Sequence, residues 1–349
     1  MTDDDIRADL EKLKAIVADH KAPQAPLAVA TALIDGRETP VFSKVPANLG
    51  ELYQLGLAQA DNPFLVYQQE RYSFAQTLDM ARRLARVLRE QYGIGKGDRV
   101  AICARNSPEW CIAYMGITLL GAVVVPMNSW WQGPELEYGL KDSDSRLVFV
   151  DQRRLALLEP LLPQLGVAVV AIKPGPDTSH PEFYELISNT EPLDQATITV
   201  QNVLPEDNVS IMYTSGSTGM PKGVLSSHRA IINALYTWLF VKEITEILRP
   251  ELVEENPPYQ PAILCNVPLF HVTGSHAQFL ASFVYLRKFV MMYKWDADEA
   301  LRLIEAERIS VLHGVPTMTW EVMQSPRFNS TDLGSLRSVA AGGAPRPPG

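Results

Sequence analysis

Hydrophobic and polar positions along this chain follow two rhythms that take turns. From residue 48 onward, short apolar runs of strand length are followed by longer stretches in which apolar residues recur every three to four positions. NLGELYQLGLAQA reads as helical, PFLVYQQERYSF as two short strands around a polar turn, and residues 74–92 as a helix with its arginines outward. Residues 100–104 form a buried strand. Asn106 and Ser107 then lead into a helix with Pro108 in its first turn; Gly121 stops it after about Leu120, and VVVPM is the next buried strand. Residues 135–142 are helical, while residues 147–150 and VAVVAI at Val167 are strands. Further on come a helix from Ser227 through HRAIINALYTWL, the strand, loop and helix of AILCNVPLFHVTGSHAQFLASFVYL, and the strand KFVMMY. A helix over 297–307, the strand and loop of SVLHGVPT, and a final strand and loop in LRSVAAGGAP complete the series. Alternation of strand and helix is the signature of parallel α/β sheets.

Two stretches fall outside this rhythm. Residues 4–20 place Ile6, Leu10, Leu13 and Val17 on one helical face, which suits a helix docked on the body or one that binds a partner. Residues 21–47 are proline-rich without periodicity and read as an irregular connector; residues 243–261, charged and proline-rich, read as surface.

A length of 349 residues suggests two or three domains. The net charge of -9, with no Lys/Arg cluster, argues against a nucleic-acid partner. Cys103, Cys111 and Cys265 lie in or beside apolar runs without metal-ligand spacing, so they read as reduced core residues of a cytoplasmic protein. The acidic start MTDDDIRADLEKLK is unlike a secretory signal. The longest apolar passage, 111–127, is broken by Gly121 and Pro126 and reads as helix, turn and strand instead of a membrane span. Peripheral membrane association and a homodimer are left open. In GIGKG the glycines precede a strand, whereas a dinucleotide fingerprint follows one.

The chemistry concentrates in residues 211–223, IMYTSGSTGMPKG. An apolar strand empties into a loop in which Gly216, Gly219 and Gly223 remove Cβ bulk, so that backbone N–H groups can turn around phosphate oxygens. Thr214, Ser215, Ser217 and Thr218 add hydroxyls, and Lys222 adds a charge on a flexible stem. Counting from Gly216 places Pro221 and Gly223 where a Walker loop has its second glycine and its Ser/Thr, so this is not a Walker loop. The helix that begins after Ser227 is expected to present its N-terminal dipole just behind the loop.

The order Y-T-S-G-S-T-G-M-P-K-G closely resembles the signature of the adenylate-forming superfamily, which includes acyl-CoA synthetases, peptide-synthetase adenylation domains and luciferases. PLFHVTG, VLHGVPT, AAGGAP and the pattern SPEW…GAVVVPMN extend the resemblance over about residues 48–345. It implies an α/β fold of two packed, largely parallel subdomains layered αβαβα. Residues 1–47 would be a helix and connector, 48–75 with 246–349 one subdomain carrying the acyl and adenine loops, and 76–245 the other, carrying the phosphate loop. It also implies activation of a small-molecule carboxylic acid by ATP with Mg²⁺, and acyl transfer to coenzyme A. Thr214 would help hold the metal, and Ser215 to Gly219 with Lys222 would hold the phosphates. His271 would be a movable lid over the carboxylate, beside Val272, Thr273, Gly274 and Ser275; at a strand end it is otherwise an ordinary hydrogen-bonded histidine. Gly314, Val315, Pro316 and Thr317 would line the acid channel, and Gly342, Gly343, Ala344 and Pro345 would bind adenine.

His271 stands where amino-acid-activating relatives commonly carry an aspartate, which favours an apolar acid: a medium- or long-chain fatty acid first, an aryl acid second. The Y-G-x-T-E segment, the ribose-binding aspartate and the distal lysine of the family do not occur in this sequence. The expectation is therefore the N-terminal portion of a longer ligase, inactive alone and without most of the β-barrel and C-terminal domain; the competing reading is a non-catalytic nucleotide- or acyl-binding module.

Overall fold

The computed structural model describes residues 3–19, 22, 24–194, 202–214, 219–253 and 257–342. Within the expected irregular connector lies a hairpin, β1 (Val29–Ile34) against β2 (Arg37–Phe42). Asp35 and Gly36 both take positive φ, 49° and 75°, which is the demand of a two-residue hairpin turn. The proline content that suggested irregularity is accommodated because Pro40, opposite Thr31, sits in a ribbon of two edges where a missing N–H costs little.

Two six-stranded sheets carry the rest. β3 (Pro63–Tyr67) and β4 (Glu70–Ser73) belong to the second; the first is built from β5 (Arg99–Cys103), β6 (Val123–Pro126), β7 (Ser145–Asp151), β8 (Ala168–Ile172), β9 (Asn208–Thr214) and β10 (Lys222–Ser227). Its order is β10-β9-β6-β5-β7-β8, parallel throughout except for β10. β11 (Ala262–Cys265), β12 (Lys288–Met291), β13 (Val311–Gly314) and β14 (Ser338–Ala341) complete the second sheet in the order β14-β13-β11-β12-β3-β4, with only β4 antiparallel.

The two-residue period of the strands sorts their side chains into three cores. Val100 and Ile102 of β5 face the same central core as Ile263 and Cys265 of β11, with the Phe74–Tyr92 and Pro108–Leu119 helices between the sheets. Ala101 and Cys103 face outward under the Gly133–Asp142 and Gln152–Leu158 helices. On the far side, Leu264 and Val290 pack with Leu301 and Ile304 of the Ala297–Glu307 helix. The result is the layered αβαβα architecture, with no closed barrel among the described residues. The Pro108–Leu119 helix is buried all round because it lies between two sheets, and Ser107 caps it through the Trp110 N–H. All three cysteines are buried and free, as expected of core residues. No described helix is long and apolar enough to cross a membrane.

Three further expectations change. The Asp3–Asp19 helix docks through buried Ile16 and an Asp9–Arg249 ion pair at 2.6 Å, leaving Leu10 and Val17 exposed. Arginines of the Phe74–Tyr92 helix are not simply outward: Arg83 and Arg86 donate to the carbonyls of Thr190 and Pro192 and clamp that segment. The charged stretch from 243 begins inside a helix, His228–Leu248.

Candidate functional site where the two sheets meet

In both sheets the parallel strands run so that the loops at their C-terminal ends share one region, the place where open α/β sheets bind ligands. Asn106, directly after β5, joins the two. Its Nδ2 donates to the carbonyls of Val267 (3.0 Å) and Met292 (3.3 Å), after β11 and β12, and its Oδ1 accepts from the Leu269 N–H at 2.9 Å. Beside it, the Arg105 guanidinium lies between the rings of Trp130 (5.8 Å) and Tyr293 (5.7 Å).

The β9–β10 hairpin forms one wall. Thr214 and Lys222 are register partners at its open end, both exposed, with the Thr214 hydroxyl donating to the Lys222 carbonyl at 3.4 Å. Ser215, Gly216, Ser217 and Thr218 lie outside the described residues; Gly219 has a φ of 129°. Tyr213 fixes the hairpin to the body, donating from its hydroxyl to Asp142 at 2.6 Å and packing edge-on against Trp131 at 5.4 Å. Burial, then the neighbouring Asp142 carboxylate, push the phenol pKa upward.

Two expectations for this wall fail on the register. Gly223 is inside β10, opposite Tyr213, and a Cβ there would stand 2.8 Å from Ile211 Cγ2, so close cross-strand packing explains the glycine rather than a turn around phosphate. The helix after Ser227 begins at the other end of β10, where Ser227 pairs with Asn208. A six-residue strand is about 20 Å long, so the helix N-terminus does not reach the loop.

The opposite wall is the segment after β11. His271 is not at a strand end: β11 stops at Cys265, and His271 sits in the turn that opens a π-helix over Thr273–Leu280. It is exposed on one side and flanked by Phe270 (4.3 Å) and Trp130 (6.3 Å), and this partial withdrawal from water lowers its pKa. Gly274 and Ser275 are buried in the helix start instead of lining a channel. A Cβ on Gly274 would meet the Pro268 carbonyl oxygen at 2.4 Å, and the Ser275 hydroxyl donates to the His271 carbonyl at 3.0 Å. Gly314 packs on Asn266 and Met318, while Pro316 and Thr317 form the first turn of the Pro316–Gln324 helix, not a loop.

Val272, Thr273 and Gly342 do come together, with His313, at one end of a cavity of about 910 Å³. Its interior runs past Ala277, Val284 and Arg287 toward Trp238 and Tyr259. Thr214, Lys222 and His271 do not line it. Gly343, Ala344 and Pro345 lie outside the described residues.

Sequence reasoning missed Asn106 as the joint between the sheets, and it missed Trp130, Trp131 and Arg105. The adjacent tryptophans act in opposite directions, Trp131 holding the hairpin and Trp130 holding Phe270 and His271. A pair of tryptophans just beyond a buried strand was the available signal, since that position lies at the ligand-facing edge of a parallel sheet.

Comparison with known proteins identifies the family and the fold. The family profile described as AMP-binding enzyme matches residues 56–349. The chain is 30% identical to 4-coumarate–CoA ligase 3 of Oryza sativa subsp. japonica over 276 residues, 79% of this chain and 47% of that protein. It is 31% identical to the long-chain-fatty-acid–CoA ligase FadD13 of Mycobacterium tuberculosis over 279 residues, 79% of this chain and 51% of that one. The chain thus spans about half the length of the curated relatives it matches. Among solved structures, the inhibitor-bound N-terminal domain of FACL13 from Mycobacterium tuberculosis superposes with a TM-score of 0.72 at 27% identity, covering 86% of this chain and 71% of that one. The anthranilate CoA ligase AuaEII shares the fold, with a TM-score of 0.70 at 24% identity over 84% of this chain and 54% of that one. The chain belongs to the family of AMP-binding enzymes.

Proposed function

We propose that this chain supplies the acid- and nucleotide-binding part of an enzyme that joins a carboxylic acid to the α-phosphorus of ATP, releasing pyrophosphate, and passes the acyl group to coenzyme A. The observation that carries the reading is the cavity of about 910 Å³ along the second parallel sheet, lined by Thr273, by His313 at the end of β13 and by Gly342 just after β14. Its volume exceeds what one aromatic ring needs, which favours a medium- or long-chain acid over an aryl acid. The likeness to FadD13, a long-chain-fatty-acid–CoA ligase by name, fits this choice, and that to 4-coumarate–CoA ligase 3 fits the aryl acid, so the choice rests on the cavity.

Two anions must approach each other in the first step, so positive charge and hydrogen-bond donors have to offset their repulsion. Lys222 and Thr214, exposed and adjacent at the hairpin tip, have the chemistry to hold phosphate oxygens there, and Ser215, Gly216, Ser217, Thr218 and Gly219, between them in sequence, would add hydroxyls and backbone N–H donors. Among the described residues no group of three or more His, Cys, Asp or Glu forms a metal cage. A single hydroxyl oxygen, that of Thr214, fits Mg²⁺ that arrives on the phosphates, where it would offset their charge, while the Lys222 ammonium would contact phosphate oxygens and not the metal. His271, beside Val272 and Thr273, is favoured in its neutral form by partial burial and suits a cover over the carboxylate.

The test is acid-dependent exchange of pyrophosphate into ATP by the protein that carries this chain, across a panel of carboxylic acids. Exchange with aliphatic acids is the expected result; no exchange with any acid sinks the ligase reading.

A further inference from the structure

Arg287 is the one cationic residue of the cavity wall that is buried, with 7% of its surface exposed. Its Nε donates to the Ser282 hydroxyl at 3.1 Å, its Nη2 donates to the carbonyls of Ala277 (2.9 Å) and Gln278 (3.3 Å), and its guanidinium lies 4.9 Å from the Tyr285 ring centre. Every one of these partners is neutral. Other cations near it have carboxylates: Lys242 pairs with Glu246 at 2.5 Å, Lys288 with Glu307 at 2.8 Å and Arg308 with Asp332 at 2.5 Å. Among the described residues Arg287 has none within ion-pair distance, and its Nη1 makes no hydrogen bond. That nitrogen is not fully enclosed, and Arg287 is one of the residues that line the cavity.

A buried guanidinium without a counter-ion is costly, and an alkyl chain filling the cavity would make it costlier by removing the remaining water. An anion at the same place would reverse that cost through a charge-assisted pair at the open Nη1 edge. Ala277, whose carbonyl holds Arg287, lies four residues beyond Thr273 in the same π-helix, and Thr273 is at the end where the acid's reacting carboxyl is proposed to sit. Burial lowers the Arg287 pKa to about 10, which still leaves it charged at neutral pH.

We propose that the acid received by this cavity carries a second anionic group at the far end of its chain, an α,ω-dicarboxylate or its equivalent, and that Arg287 is the residue that holds it. The inference rests on the cavity being the acid's site.

The test compares octanedioate with octanoate by calorimetric titration of the unaltered chain, alone and with ATP present. The dicarboxylate should bind about tenfold tighter or more, the size of one charge-assisted pair. In Arg287→Gln the ratio of the two affinities should fall toward one, and Arg287→Lys should retain part of it. Because Arg287 also supports two helix carbonyls, unfolding midpoints of both variants are measured alongside, and the comparison on the unaltered chain stands even if a variant does not fold. Octanoate binding equally well or better, no binding of either acid, or an unchanged ratio in Arg287→Gln would each overturn the assignment. Pyrophosphate exchange separates the two claims: turnover with octanoate but not octanedioate leaves the ligase reading standing without this one, whereas no exchange with any acid sinks the ligase reading itself.

Discussion

The two walls of the candidate site are built in opposite ways. The hairpin of β9 and β10 is exposed, carries a hydroxyl and an ammonium at its tip, and is tied to the body through Tyr213, which meets Asp142 and Trp131, and through Tyr138, which donates to the Pro221 carbonyl. The wall under the second sheet is packed, with Gly274 and Ser275 buried in a helix start and a half-open cavity lined by their helix neighbours Thr273 and Ala277. A polyphosphate needs donors that can close around it, which suits a thin hairpin; an acyl chain needs a dry and preformed cavity, which suits a packed layer. Asn106 is what makes the two walls one site.

The comparison breaks most directly at that joint. Asn106→Ala removes three hydrogen bonds between buried groups of the two sheets and should lower unfolding stability by about 3–4 kcal/mol, read from the urea midpoint. A loss below about 1 kcal/mol would mean the sheets are held together elsewhere. Acid should act next. Burial lowers the pKa of His228, which lies between the start of the Leu49–Gln54 helix and the end of β10, and of His276, behind the cavity wall, to about 4 each. In that state each binds its proton in the unfolded chain near pH 6.5 but in the folded chain only near pH 4. Stability is therefore full above about pH 6.5 and declines as pH falls toward 4, by up to about 3 kcal/mol per imidazole. Thermal midpoints flat between pH 7 and 4.5 would contradict it, and His276→Gln should remove its share.

Trp131→Ala tests the hairpin alone. It should cost about 2 kcal/mol and loosen β9–β10 while leaving the second wall intact, visible as faster amide exchange confined to the hairpin. Exchange accelerating equally in both sheets would deny the hairpin its separate anchoring. The smallest effect on stability, within about 0.5 kcal/mol, belongs to Lys222→Ala, because the side chain is exposed. ATP binding should nonetheless fall about tenfold, since a charge-assisted contact is lost; unchanged binding would remove Lys222 from the nucleotide site.

Much of this was legible in the chain. The Phe74–Tyr92 helix follows from its capping box at Ser73 and Gln76 and its closing Gly93, and the buried strands follow from uninterrupted apolar runs between two covered faces. The β1–β2 ribbon was missed although Asp35-Gly36 is a strong hairpin signal, because proline content was weighed above turn chemistry. The helix dipole was placed wrongly because sequence distance was taken for spatial distance: an antiparallel strand carries the chain from Lys222 to Ser227 away from the loop.

The sequence by itself determined the alternating α/β plan, the family, and the local motif of the hairpin, since each depends on residues near one another in the chain or on their period. Only the tertiary structure decided which distant residues share a site. Asn106 reaches Val267, Leu269 and Met292 across more than 150 positions, Trp130 meets His271, and Arg287 becomes a buried charge without a carboxylate only once the elements around it have packed. Burial and pairing are properties of that packing, and no window of sequence contains them.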